Sequence, residues 1–170
     1  DVDLSAYDKT LAGSPFAWDD YEVGEQIDHV DGMTIEEAEH QLATRLYQNT
    51  AKVHFDQFAA NEGRFKRRLI YGGHIISLAR CLSFNGLGNA FKVLAINAGS
   101  HANPTFAGDT IYAYSEVLEK IELPDSAAGA LRVRLVATKD QPAGDFPLKV
   151  EGKYDPAVVL DLDYTVALPR

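Results

Sequence analysis

One histidine stands in the stretch QNTAKVHFD, Gln48 to Asp56: His54, five residues after Asn49 and two before Asp56. An imidazole titrates close to neutral pH, so it is the side chain best suited to moving a proton to and from a weak acid. Further on, Gly72 and Gly73 open a long apolar run. A helix that begins on glycines presents unpaired backbone N–H groups and a partial positive charge, and the missing Cβ lets a ligand come close. A thioester carbonyl aimed at those N–H groups would be polarised and its enolate stabilised, an effect of about 3–4 kcal/mol per donor. Removing a proton next to a thioester needs both parts, the base and the donor. Each feature also has a structural reading: glycines ease helix packing, and a loop histidine can simply hold a turn. His29, His40, His74 and His101 are further candidates, and spacing alone does not favour His54 over His74.

The elements that must position these residues follow from periodicity. The segment 1–24 is irregular, and residues 25–170 read as one domain. A strand is expected over Gln26 to Met33. Thr34 and Glu37 have the spacing of a capping box, and Ile35, Ala38, Leu42 and Leu46 recur at helical spacing as a buried face. Glu36, Glu39 and His40 fall on the opposite face, expected to be wet rather than metal-binding. The segment His74 to Phe84 has almost no polar face, which predicts a buried helix with Cys81 in the core, stopped by Asn85-Gly86. After Phe91 the pattern becomes strands: FKVLAINAG, IYAYSEVLEKIEL, ALRVRLVATKD and VVLDLDYTVALP. In the third, Leu131, Val133 and Leu135 alternate with Arg132, Arg134 and Val136. In the fourth, Leu160, Leu162, Tyr164 and Val166 alternate with Asp161, Asp163 and Thr165. Such strands have one dry face and one wet face. The expected class is α+β: a curved antiparallel sheet wrapped around one long buried helix, the hot-dog arrangement, with its other face wet. The open edges of such a sheet lead us to expect a second copy as partner.

Composition narrows the function. The formal net charge is −9 over 170 residues, which argues against nucleic acid as a partner. No apolar run approaches the ~20 residues of a membrane span. A single cysteine, Cys81, leaves no internal disulfide and no cysteine-based zinc site, and fits a reducing cytoplasm. Within this acidic chain RFKRR, Arg64 to Arg68, concentrates four cations in five residues. It is either a solvated loop or a contact for ligand phosphates, with Arg64, Arg67 and Arg68 the residues to watch.

The combination NTAKVHFD, LIYGGHIISLA and NPTFAGDT resembles the MaoC-like, R-specific enoyl-CoA hydratase family over roughly Tyr21 to Val166. The longer strings ATRLYQNTAKVHFDQ, RRLIYGGHIISLARCLSFNGL and AGDTIYAYSEVL look like a branch of it acting on branched, carboxylate-bearing enoyl-CoAs. The resemblance implies a hot-dog fold and reversible addition of water to an enoyl-CoA, without metal or redox cofactor, coenzyme A being part of the substrate. His54 falls on the family's catalytic histidine, Gly72 on the glycine whose N–H holds the thioester oxygen, and Asp56 on a second, non-catalytic aspartate. Gly73 N–H would join Gly72 in polarising the thioester, Tyr71 would bind substrate, and Arg45, Lys52 or Arg80 would meet a free carboxylate. The family's catalytic aspartate is Asn49 here; an amide orients water but transfers no proton. Ala51-Lys52 replaces its Asn-Pro pair, and Tyr71 its histidine before the glycine. Members of the branch look about twice as long, so the chain, which starts at Asp1, is expected to be a C-terminal half that pairs with an N-terminal hot-dog half or with a second copy. Two alternatives stand: acyl-CoA thioester hydrolysis, whose usual helix carboxylate is missing from His74 to Phe84, and a non-catalytic CoA-binding or structural half.

Overall fold

In a computed structural model that describes residues 3–170, the helices are α1 (Lys9–Ala12), α2 (Glu37–Leu46), α3 (Gln57–Ala60), α4 (Gly72–Leu82) and α5 (Phe84–Leu87). The strands are β1 (Gln26–Asp28), β2 (Met33–Thr34), β3 (Lys92–His101), β4 (Thr110–Ile121), β5 (Ala128–Lys139), β6 (Lys149–Val150), β7 (Lys153–Tyr154) and β8 (Val158–Pro169). The main sheet is antiparallel in the order β1-β4-β5-β8-β3, with β2 also on β4. The central helix α4 packs on β4, β5 and β8. Its residues Ile75, Ala79 and Leu82 are buried against Leu131, Val133, Leu135, Leu162, Tyr164 and Val166, the dry side read from the alternation. On the wet side Arg132 pairs with Asp163 at 2.6 Å, and Arg134 with Glu116 and Asp161.

In the segment before residue 25, whose residues 1–2 lie outside the described part, Trp18 and Tyr21 belong to the same core, while α1 contributes no buried residue. Trp18 Nε1 donates to the Ala130 carbonyl at 2.9 Å and the Tyr21 hydroxyl to the Gly86 carbonyl at 2.5 Å. The expected strand over Gln26 to Met33 is two short strands, because Val30 turns with φ 62° and its N–H donates to Asp28 Oδ1. The outer face of the sheet is not wet throughout: Tyr114, Val136, Ala143 and Val158 form a second apolar cluster under the excursion that carries β6 and β7.

Three readings of the helices are corrected. Thr34 does not cap α2; it lies in β2, its hydroxyl bonded to that of Thr110, and α2 starts after Glu36 with no side-chain cap. The buried side of α2 is His40, Gln41 and Thr44, while Leu42 and Leu46 are 58% and 68% exposed. The polar side faces inward because the neighbouring turn offers it a carbonyl to bind. Cys81 is exposed rather than core, because α4 is covered on one side only and its flank of Ser77 and Cys81 stays open. β3, the last strand of the sheet, is exposed along its whole length. No helix among the described residues is long and apolar enough to cross a membrane.

Candidate active site

His54 closes a single 3₁₀ turn, Lys52–His54. The turn is held from several directions. The His54 carbonyl accepts from Gln41 Nε2 at 2.7 Å, and Leu69 N–H donates to the Val53 carbonyl at 3.0 Å. The imidazole Nδ1 lies 3.0 Å from the Leu69 carbonyl oxygen. A carbonyl only accepts, so Nδ1 carries the hydrogen and Nε2 of the neutral ring keeps its lone pair. That tautomer is a base. The edge of the ring faces Tyr71 at 6.0 Å between centroids.

His54 and Gly72 line one cavity of about 360 Å³, together with Ile75, His101, Asn103 and Thr105. Gly72 is the first residue of the 11-residue α4, where backbone N–H groups have no partner within the helix. Its φ is not positive, so glycine is not there for its backbone freedom. Space is the reason: a Cβ on Gly72 would overlap the imidazole of His101. The geometry therefore joins an imidazole, oriented by the Leu69 carbonyl, to a helix N-terminus, where spacing alone did not favour His54 over His74. It also adds His101, which no spacing rule points to, since it reaches the cavity from the far end of β3.

The other expected site residues lie elsewhere. Gly73 is outside this cavity and is covered by the Tyr71 ring. Tyr71 precedes α4 as its N-terminal boundary residue and touches His54 rather than lining the cavity. Asn49 lines a separate hollow with Thr44, Arg45, Gln48 and Phe55, and its Oδ1 accepts from Ala51 N–H at 2.9 Å. Asp56 caps α3 by accepting from Ala59 N–H. Arg68 pairs with Glu37, and Arg67 donates to the Ala107 carbonyl at 2.6 Å while covering the Phe106 ring. Arg64 is exposed, held only over Phe65. Arg80 donates to Ser83 and to the Tyr164 hydroxyl at 3.0 Å, on a hollow shared with Cys81 and away from His54. Among the described residues no three side chains of metal-ligating type come together.

Three further histidines are structural. His74 Nε2 bonds Glu39 at 3.0 Å. His29, fully buried, donates from Nδ1 to the Asn85 carbonyl at 2.6 Å and accepts at Nε2 from Ser115. His40, also fully buried, accepts at Nε2 from the same Gln41 amide that holds the His54 turn. Burial holds the protonation of His29 and His40 below the ordinary 6.5. The unfolded chain then takes up protons that the folded chain refuses. Stability is therefore full above about pH 6.5 and falls as the pH drops below that value. Urea unfolding at pH 7.5 and pH 5.5 checks this: a lower midpoint is expected at pH 5.5, and a His29→Asn change should reduce the difference.

The chain matches the MaoC like domain family model over residues 20–138. It is 66% identical to the beta-methylmalyl-CoA dehydratase of Chloroflexus aurantiacus over 99% of this chain and 49% of that protein. It is 62% identical to the mesaconyl-CoA hydratase of Cereibacter sphaeroides over 99% of this chain and 48% of that protein. The chain thus spans about half the length of these relatives. A crystal structure of a MaoC domain protein dehydratase from Chloroflexus aurantiacus superposes with a TM-score of 0.95 at 66% identity, over 99% of this chain and 49% of that one. A Mycobacterium tuberculosis protein with a double hot-dog fold superposes at TM-score 0.69 and 19% identity, over 91% of this chain and 44% of that one. The latter likeness is one of fold alone, and the fold here is the hot-dog.

Proposed function

The chain belongs to the MaoC-like domain family, and from that premise we propose that it carries the hydratase site of a longer protein that reversibly adds water to mesaconyl-CoA, giving β-methylmalyl-CoA. One observation carries the reading: a histidine whose Nδ1 is engaged by a carbonyl and the first residue of α4 line the same cavity. The thioester oxygen accepts from Gly72 N–H, and the positive end of α4 stabilises the charge that develops on it. His54 Nε2 takes a proton from water, whose oxygen bonds the β-carbon, and returns one to the leaving hydroxyl in the reverse direction. The Leu69 carbonyl steadies the imidazolium so formed. The reaction asks for no redox group and no metal, since carbonyl polarisation and proton transfer are its only demands. The names of the two relatives support the substrate.

Coenzyme A is bound as part of the substrate. Of the cations between Arg64 and Arg68, Arg68 is engaged by a carboxylate and Arg67 in part by a carbonyl, so Arg64 is the freest to meet a nucleotide phosphate. Arg64→Ala is expected to raise KM several-fold with kcat little changed; an unaltered KM in steady-state kinetics removes it from the CoA site. The exposed β3 and the open flank of α4 are the faces on which a second hot-dog domain docks, either from the same polypeptide or from a second copy. The unpaired backbone groups of an edge strand favour such pairing, and the doubled length of the relatives favours the same polypeptide. The one cysteine of this chain, Cys81, is not in a disulfide, which suits a reducing compartment, the cytoplasm.

The test is incubation of the full-length protein with a panel of enoyl-CoA thioesters, mesaconyl-CoA first, followed by loss of the conjugated double bond. No loss across the panel sinks the reading. Release of free coenzyme A thiol without hydration would mean a thioesterase instead.

A further inference from the structure

Hydration needs two proton positions, one at the added water and one at the α-carbon. His54 serves the first. The residue aligned with the family's aspartate is an amide whose oxygen is engaged by its own turn on a different hollow, so it does not supply the second. A second imidazole does stand in the cavity. His101 ends β3, and its Nε2 and Cε1 press on Gly72 where a side chain would otherwise begin. Among the described residues neither of its ring nitrogens is engaged by another group of the chain, in contrast to His29, His54 and His74, whose rings are all bonded.

The position matters because Gly72 fixes where the thioester lies. A carbonyl oxygen on Gly72 N–H brings the carbonyl carbon, and the α-carbon next to it, over the start of α4. His101 Nε2 lies against that same residue, where a Cβ on Gly72 would stand. The β-carbon, where oxygen is added, lies one bond further out in a cavity that His54 also lines. We propose that His101 is the second acid–base residue of this site, donating the proton to the α-carbon during hydration and removing it during dehydration.

The step balances. A lone pair of the water oxygen forms the new bond to the β-carbon, and one water proton passes to His54 Nε2. The π pair of the double bond moves toward the thioester oxygen as an enolate held by Gly72 N–H, then returns to form the α-carbon–hydrogen bond with the proton of His101. His54 ends protonated and His101 neutral, and exchange with solvent restores the pair. Such a cycle needs the two rings to share one proton. Two cations in one small cavity repel, and burial of the His101 ring and a positive charge on His54 both disfavour protonation of His101, so the reactive form, with His101 protonated and His54 neutral, is the less populated of the two singly protonated forms.

The inference rests on the hydratase reading above, and the experiment separates the two. In the full-length protein, His101→Gln keeps a polar group near the Nε2 position but cannot titrate. Its kcat for hydration of mesaconyl-CoA is expected to fall about 10²-fold, within the range general acid–base groups contribute, with KM nearly unchanged. The pH profile of hydration should lose its alkaline limb, because the required His101 proton no longer matters, and keep the acidic limb set by His54. His101→Asn should behave alike, and thermal unfolding of both should match the unaltered protein, since the residue sits at an exposed strand end. Activity within threefold of the unaltered protein overturns the assignment while leaving the hydratase reading intact. So does a large loss of activity with both limbs retained, which would make His101 a mere packing partner of Gly72. Absence of hydration by the unaltered protein overturns both.

Discussion

Replacing His54 with asparagine is expected to lower kcat for hydration of mesaconyl-CoA by about 10³-fold, with KM and thermal stability close to those of the unaltered protein. The magnitude is that of a group that moves a proton in the rate-limiting step. Asparagine is the informative choice because its amide nitrogen stands near the place of Nδ1 and can still donate to the Leu69 carbonyl. The turn stays held through Gln41 and through Leu69 N–H as well. What the variant loses is the lone pair at Nε2 and nothing else of consequence. A variant with activity within tenfold would end the role assigned to the imidazole. Equal loss of activity and of thermal stability would mean that the ring holds the turn and does no chemistry.

A methyl group at position 72 is expected to do nearly as much damage by another route. Gly72→Ala retains the backbone N–H and a φ that alanine adopts freely, and alanine is the better helix former. Stability should therefore hold or rise slightly. The methyl and the His101 ring cannot occupy the same space, so the ring must swing away from the end of β3 and the thioester must stand off from the helix. Displacement by about 1 Å of a reacting group can cost 10²-fold, and here two groups move. A fall in kcat/KM between 10² and 10³ is expected with an unchanged melting temperature. Full activity in Gly72→Ala would show that no carbonyl approaches this amide.

Much of the architecture was legible because it rests on short-range patterns. The alternation along Leu131–Leu135 and Leu160–Tyr164 marks the dry face and the charged residues opposite it, though Val136 on the outer face is buried, and Asn85-Gly86 marks a break in the helical run just past α4, where Gly86 takes a positive φ. Where the reading erred, the deciding partner was remote. Thr34 has the spacing of a cap, yet Thr110, on the adjacent strand, takes its hydroxyl. The apolar residues of α2 have the periodicity of a core face, yet His40, Gln41 and Thr44 find hydrogen bonds inside and turn the helix over. Cys81 stands in an apolar run, but a pattern cannot tell a helix wrapped on all sides from one covered on one side. The candidate site divides in the same way. His54 and Gly72 stood out by type and by resemblance. His101 did not, because its significance arises from a contact between a strand end and a helix start far apart in the chain. Asn49 stood out by alignment with a catalytic position, while its oxygen serves the local turn.

The tight fit between Gly72 and His101 also bears on how this site can change over time. Neither residue is free to drift by itself: a side chain at 72 evicts the imidazole, and loss of the imidazole opens a void that would tolerate one. Effects of substitution at the two positions should therefore be strongly non-additive, with Gly72→Ala far less harmful once residue 101 is already small. Lineages that altered this corner would have done so in ordered steps, residue 101 first, and the pair would be inherited as a unit.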